Sequence, residues 1–152
     1  MQALNSDQYA RLADVAHRYW QVHASWFKSS PCRNPLLGVD TLCFRPWSGD
    51  GMGQDEVGLN DEPSLVGALL TPISLSLVLL PPTSATREAV AERIVQLPGG
   101  AYAFNQEQVD HDVWFWRCEV LSDLGDIDSL QEGSRLAQQL VSRVMDPPGA
   151  KA

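Results

Sequence analysis

The stretch that most constrains this chain is Gly67-Ala68-Leu69-Leu70-Thr71-Pro72-Ile73-Ser74-Leu75-Ser76-Leu77-Val78-Leu79-Leu80-Pro81, the most apolar run in the sequence. Proline and serine interrupt it, and it falls short of the roughly 20 apolar residues that cross a bilayer. It predicts two β segments meeting at Thr71-Pro72. From Leu75 the side chains alternate, with Leu75, Leu77 and Leu79 on one face and Ser74, Ser76 and Val78 on the other. Pro72 cannot donate to a ladder and marks an edge, a bulge or a turn. Pro81-Pro82 stops the second segment. The leucines are core residues of a small sheet, and the functional alternative is that the ribbon underlies a peptide-binding surface.

The flanks supply what such a ribbon needs to be covered. Ser6 and Asp7 can cap a helix from about Gln8, with Leu12, Val15, Ala16, Tyr19, Val22 and Trp26 as its apolar face. Ser29-Ser30-Pro31 ends it. A strand follows over about Leu36 to Phe44, closed by Arg45-Pro46-Trp47. Residues 48–64 carry Asp50, Asp55, Glu56, Asp61 and Glu62 without a lysine or arginine, which predicts a mobile acidic loop. The spacing from Asp50 fails the calcium-loop pattern, because Asp55 stands where the glycine is required. Beyond the ribbon, Thr83 to Ala91 suggests a short helical turn. Glu92–Leu97 and Ala101–Asn105 then form a hairpin through Pro98-Gly99-Gly100. Asp112 to Leu121 is a strand with apolar residues on both faces, which places it inside the sheet. Ser129 and Glu132 make a capping box. They open a helix with the stripe Leu130, Leu136, Ala137, Leu140, Val141 and Val144, stopped by Pro147-Pro148-Gly149. The pattern predicts an α+β fold, an antiparallel β-sheet flanked by an N-terminal and a C-terminal amphipathic helix packed on one of its faces. Residues 1–146 form one domain, with 147–152 a flexible tail.

Composition narrows the chemistry. The formal net charge is −8 and the pI about 4.7, so phosphate neutralisation, and with it nucleic acid, is not expected. The first residues, Met1 to Asp7, hold neither a basic start nor an apolar core, so the expectation is a cytoplasmic chain with no membrane insertion. Cys32, Cys43 and Cys118 are widely spaced, which argues against a disulfide framework and a four-cysteine zinc site. His17 and His23 are six apart on their helix and fall on different faces, so they do not share a metal. No nucleophile elbow, phosphate loop or dinucleotide fingerprint is present. Asp110-His111-Asp112 is the tightest titratable cluster, but neighbours on a strand point to opposite faces. Arg117 and Glu119 share a face and can pair. Cys118, on the tryptophan-bearing strand, reads as a small buried hydrophobe. Its alternative reading is a thiol with redox work to do.

Four segments together resemble the [NiFe]-hydrogenase assembly chaperones of the HybE/HupJ/HoxT type. They are Asn34-Pro35-Leu36-Leu37-Gly38-Val39 leading to Phe44-Arg45-Pro46-Trp47, the ribbon with Thr71-Pro72, Leu97-Pro98-Gly99-Gly100-Ala101-Tyr102-Ala103-Phe104, and Cys118 with Leu121-Ser122 ahead of the last helix. The chain departs from the pattern in its long acidic segment, at Ile73 where tryptophan is usual, and at Glu119-Val120 after Cys118.

The resemblance implies a non-catalytic cytoplasmic maturation factor without a cofactor or bound metal. Its partner would be the hydrogenase small-subunit precursor, an iron–sulfur protein with a twin-arginine signal peptide, alongside other hydrogenase maturation proteins. The chaperone would hold back export or protect the clusters. The expected client contacts are Arg45, Pro46, Trp47, Asp55, Glu56, Asp61, Glu62, Thr71, Pro72 and Tyr102. Two alternatives stand beside this: a thiol or iron–sulfur redox factor working through Cys118, and an unrelated secretion-type chaperone that takes an extended peptide at a sheet edge.

Overall fold

A computed structural model describes residues 4–30, 34, 36–47, 64–82, 91–110, 113–122, 124 and 126–146. Helix α1 runs over Ser6–Ser29 and helix α2 over Leu130–Met145. Between them lie β1 (Asp40–Trp47), β2 (Ser64–Leu70), β3 (Leu75–Leu80), β4 (Glu92–Leu97), β5 (Gly100–Asp110) and β6 (Val113–Leu121). The strands form one antiparallel sheet in the order β1-β2-β3-β6-β5-β4. The fold is α+β, as the sequence predicts. The β4–β5 hairpin occupies the far edge, and β6 returns to lie beside β3 as an interior strand. Of the expected loop at 48–64 only Ser64 is described, as the first residue of β2, and of the helical turn at 83–91 only Ala91; the rest of both, and the tail at 147–152, lie outside the described residues.

The ribbon becomes β2 and β3, the centre of the molecule, and every residue from Leu65 to Pro81 is buried. Alternation sorts their side chains into two cores. Val66, Ala68, Leu70, Leu75, Leu77 and Leu79 meet Ala137, Val141 and Val144 of α2. Leu65, Leu69, Val78 and Leu80 meet Leu12, Val15 and Tyr19 of α1. The helices therefore cover opposite faces of the sheet, which corrects the expectation of a single covered face. An amphipathic stripe dictates that a helix packs, not on which side. A sheet apolar on both faces needs both covered.

Helix α1 starts two residues earlier than the spacing suggests. Asn5, rather than Ser6 or Asp7, is its cap: its side chain accepts from Gln8 N at 2.8 Å, and Gln8 Oε1 accepts from Asn5 N at 2.8 Å. The two donors orphaned at the helix start are thus satisfied reciprocally. Leu12, Val15, Tyr19 and Phe27 are buried, but Val22 and Trp26 stay about half exposed, at 49% and 50%. The contact face drifts around the helix as it crosses the twisted sheet, so Phe27 replaces Trp26 in the core. Arg11 Nη2 donates to the Pro81 carbonyl at 2.7 Å and ties the helix to the end of β3. At the start of α2, Ser129 Oγ accepts from Glu132 N at 3.1 Å, while Glu132 Oε1 accepts from Asp128 N rather than from Ser129.

Strand β1 includes Arg45-Pro46-Trp47 instead of ending before them. As an edge strand it tolerates the missing N–H of proline. Its register slips between Leu42 and Arg45, so Gly67 faces both Cys43 and Phe44, and Cys43 has φ 60°. This is a β-bulge. Gly67 is needed opposite it, because the Phe44 ring lies where a Cβ would be.

Candidate functional site

Helix α1 carries a second stripe beside its core face. Tyr9, Ala13, Ala16 and Trp20 recur at spacings of four, three and four, with His17 alongside. They form one wall of a groove of about 690 Å³. The other wall is the chain entering β1, with Val39, Asp40 and Thr41 followed by the bulge residues Cys43 and Phe44. Tyr9 is 60% exposed and stands at the rim. The two alanines leave the floor low between the larger Tyr9 and Trp20. Asp40 is the sole formally charged residue in the lining, and no lysine or arginine enters it. The alternating three- and four-residue spacing was readable in the sequence. Alanines carry little hydrophobic signal, however, and the stripe runs beside a stronger one.

The residues expected to form a client surface are dispersed. Arg45 holds Asp146 at the end of α2 through two contacts, Nη1 to Oδ1 at 3.2 Å and Nη2 to Oδ2 at 3.0 Å. Pro46 pairs with Leu65 in the sheet. Trp47 packs against the α2-side core, and its indole N–H is buried with no acceptor among the described residues. Tyr102 leans on the same core from β5, four strands away in the sheet order, or roughly 19 Å at the usual strand spacing. Asp55, Glu56, Asp61 and Glu62 lie outside the described residues.

Thr71 and Pro72 are buried. The Thr71 hydroxyl accepts from Ser74 N at 2.9 Å and Ile73 N at 3.2 Å, and Thr71 N donates to the Ser74 carbonyl at 2.9 Å. Asn34 N donates to the Pro72 carbonyl at 2.8 Å from outside. The corner is a closed turn whose polar atoms are used internally, so in this conformation it presents no contact surface.

On the α1 side of the sheet, Arg117 gathers a polar cluster. Its guanidinium donates to Glu119 Oε1 at 2.8 Å, Ser76 Oγ at 3.0 Å and Glu107 Oε1 at 3.4 Å. The expected pairing of Arg117 with Glu119 is present. His23 Nε2 sits 3.6 Å from Glu107 Oε2 without a hydrogen bond. Burial pushes the His23 imidazole below its usual range, and Glu107 opposes this only in part. Burial likewise pushes the Tyr19 phenol up, partly opposed by Arg117. Every charge here has a partner, so the cluster reads as support beneath α1. Asp110 is engaged similarly, accepting from Arg18 Nη1 at 3.2 Å; His111 and Asp112 lie outside the described residues.

Cys118 packs partly buried against the α2-side core. Burial pushes its thiol up, and Arg117, on the opposite face of the strand, lowers it only in part. A reactive thiol needs the reverse. Among the described residues no three His, Cys, Asp or Glu side chains gather as a metal site would require. Nor is any described helix long and apolar enough to cross a membrane. The described surface carries the groove beside α1.

Among solved structures, the solution structure of HybE from Escherichia coli matches at 26% identity and a TM-score of 0.48, over 56% of this chain and 54% of that one. The chain thus matches about half the length of that relative. No curated protein matches. A family model described as "[NiFe]-hydrogenase assembly, chaperone, HybE" matches residues 10–152, from the second turn of α1 through α2. The chain belongs to the HybE family of [NiFe]-hydrogenase assembly chaperones.

Proposed function

We propose that this chain is a non-catalytic chaperone of the cytoplasm that binds the precursor of a hydrogenase small subunit and holds back its export or protects its iron–sulfur clusters until assembly. The family match over residues 10–152 carries this reading. The open groove beside α1 supports it, since a cleft of about 690 Å³ lined by both apolar and polar side chains has room for a segment of a client chain. The overall charge of −8 suits a client whose export signal begins with paired arginines. Asp55, Glu56, Asp61 and Glu62 add to that field, with Trp47 at the start of their segment. Affinity purification of the tagged chain from its own host tests the reading. The expected co-purifying protein is a hydrogenase small subunit with its N-terminal signal intact. Recovery of an export-apparatus effector with no hydrogenase subunit would contradict it.

A further inference from the structure

We propose that the end of the sheet beside the start of α2 docks a folded protein whose surface presents apolar side chains rimmed by lysine or arginine. The identity of that protein rests on the reading above: it is the folded part of the client, downstream of its export signal. Eight large apolar side chains among the described residues are 37–65% exposed, and four of them, Leu36, Val120, Leu121 and Leu130, lie at this one end. The strand register places them. Asp40 of β1 pairs with Leu70, Leu70 with Leu75, and Leu75 with Leu121, a row across four strands and about 14 Å at the usual strand spacing. Leu36 and Leu37 lead into that row. Leu37 and Leu70 meet α2 at Gly133, where a Cβ would lie 3.2 and 3.1 Å from their methyl groups. Leu130 stands one turn earlier on the same helix face, so it overhangs the end of the sheet and stays half exposed. Buried Asn34 fixes the arrangement, joining Leu36 N to the carbonyls of Leu124 and Ile127.

Shape and charge select the occupant. Strand β6 lies between β3 and β5, so Leu121 offers no unpaired edge to an extended segment. Contact has to be made through side chains on a prebuilt platform, which suits another prebuilt surface. From Glu119 to Ser134 the sequence holds Glu119, Asp123, Asp126, Asp128 and Glu132 and no lysine or arginine. Asp126, Asp128 and Glu132 are exposed beside the leucines in sequence and on the same turn into α2. The Asp126 and Asp128 carboxylates make no hydrogen bond or ion pair among the described residues. A second copy docking here by a two-fold axis would set these carboxylates against their own kind. A basic rim brings the complementary charge.

The test titrates the full chain with the small-subunit precursor, with and without its N-terminal signal. The form lacking the signal is expected to bind, and Leu121→Ser with Leu130→Ser to weaken its binding at least tenfold. Asp126→Asn with Asp128→Asn should flatten the salt dependence. Ile94→Ser, which removes an exposed apolar side chain from β4, leaves affinity within twofold. A photo-crosslinking residue at position 130 of the otherwise unchanged chain should link to the client, and one at position 94 should not. Undiminished affinity in the double leucine variant, or links from position 94 and none from 130, would overturn the proposal. Links from position 130 to a second copy of the chain would overturn it too. If the precursor binds only with its signal, the patch assignment fails and the client reading stands. If neither form binds, both fail.

Discussion

Gly99 donates its backbone N–H to the carbonyl oxygen of Val144 at 2.7 Å, pinning the turn between β4 and β5 to the last turn of α2. A Cβ at Gly99 would lie 2.8 Å from the carbonyl oxygens of both Arg143 and Val144. The same helix end is gripped from the opposite edge of the sheet by Arg45 of β1 through Asp146. The hairpin tip thus closes the α2-side core by touching backbone directly, and only a glycine lets it come so near. Gly99→Ala is therefore expected to lower stability by about 1–3 kcal/mol, the usual cost of forcing an extra methyl into a packed contact. Urea unfolding checks this; an unchanged midpoint would show that the turn can lift off the helix freely.

Asn34 anchors a second junction. Its Nδ2 donates to the carbonyls of Leu124 at 2.7 Å and Ile127 at 3.0 Å, and its Oδ1 accepts from Leu36 N at 2.9 Å. It joins the segment before β1 to the segment before α2, with the closed corner of Thr71-Pro72 resting on its backbone. Asn34→Ala removes all three bonds, leaving the Ile127 carbonyl without this partner while the Leu124 carbonyl keeps the Ile127 N–H at 3.1 Å, and should cost about 1–3 kcal/mol. Thermal unfolding followed by circular dichroism measures it.

These two junctions mark what the sequence leaves hidden. Helix and strand identities were legible because period and caps are local: the alternation at Leu75, Leu77 and Leu79, the Ser129 cap, the glycines of the hairpin. The face each helix covers was not, since that depends on the crossover that returns β6 beside β3. Pro72 read as an edge, a bulge or a turn because proline cannot donate to a ladder, and the resemblance placed the corner on a client surface. In the fold the corner is buried, and Asn34, 38 positions before Pro72, donates to the Pro72 carbonyl. The groove was half legible: the stripe of Tyr9, Ala13, Ala16 and Trp20 is in the sequence, but the strand facing it is not.

His23 should make stability acid-sensitive. Burial holds its folded-state pKa below the ordinary value of about 6.5. Protonation therefore favours the unfolded chain. His23 costs no stability above about pH 6.5, and stability falls as the pH drops from there towards the folded-state pKa. His23→Gln is expected to lose less stability than the wild type between pH 7.5 and pH 5, read as the shift in urea midpoint. Equal losses in the two proteins would contradict this assignment.

Cys118 is expected to be dispensable. Burial pushes both thiols up, so the order follows exposure: half-buried Cys118 should alkylate more slowly at neutral pH than Cys43, which is exposed on the groove wall. Peptide mass mapping after timed iodoacetamide treatment reads this order. Cells carrying Cys118→Ser should mature hydrogenase in air as well as the wild type. A drop in hydrogenase activity with Cys118→Ser protein at normal levels would restore a redox role.

Electrostatic attraction between an acidic chaperone and a basic signal weakens as ions screen it, with a Debye length near 10 Å at 0.1 M salt and about 3 Å at 1 M. Affinity for the client should therefore fall as salt is raised over that range. Isothermal titration at several salt concentrations reads the slope, and a flat one would remove charge from the account.

The most direct measurement compares the purified chain's affinity for the hydrogenase small-subunit precursor with and without its N-terminal signal. Binding at least tenfold tighter to the signal-bearing form is the predicted result. Equal affinity for the two forms, or no binding to either, would contradict the account.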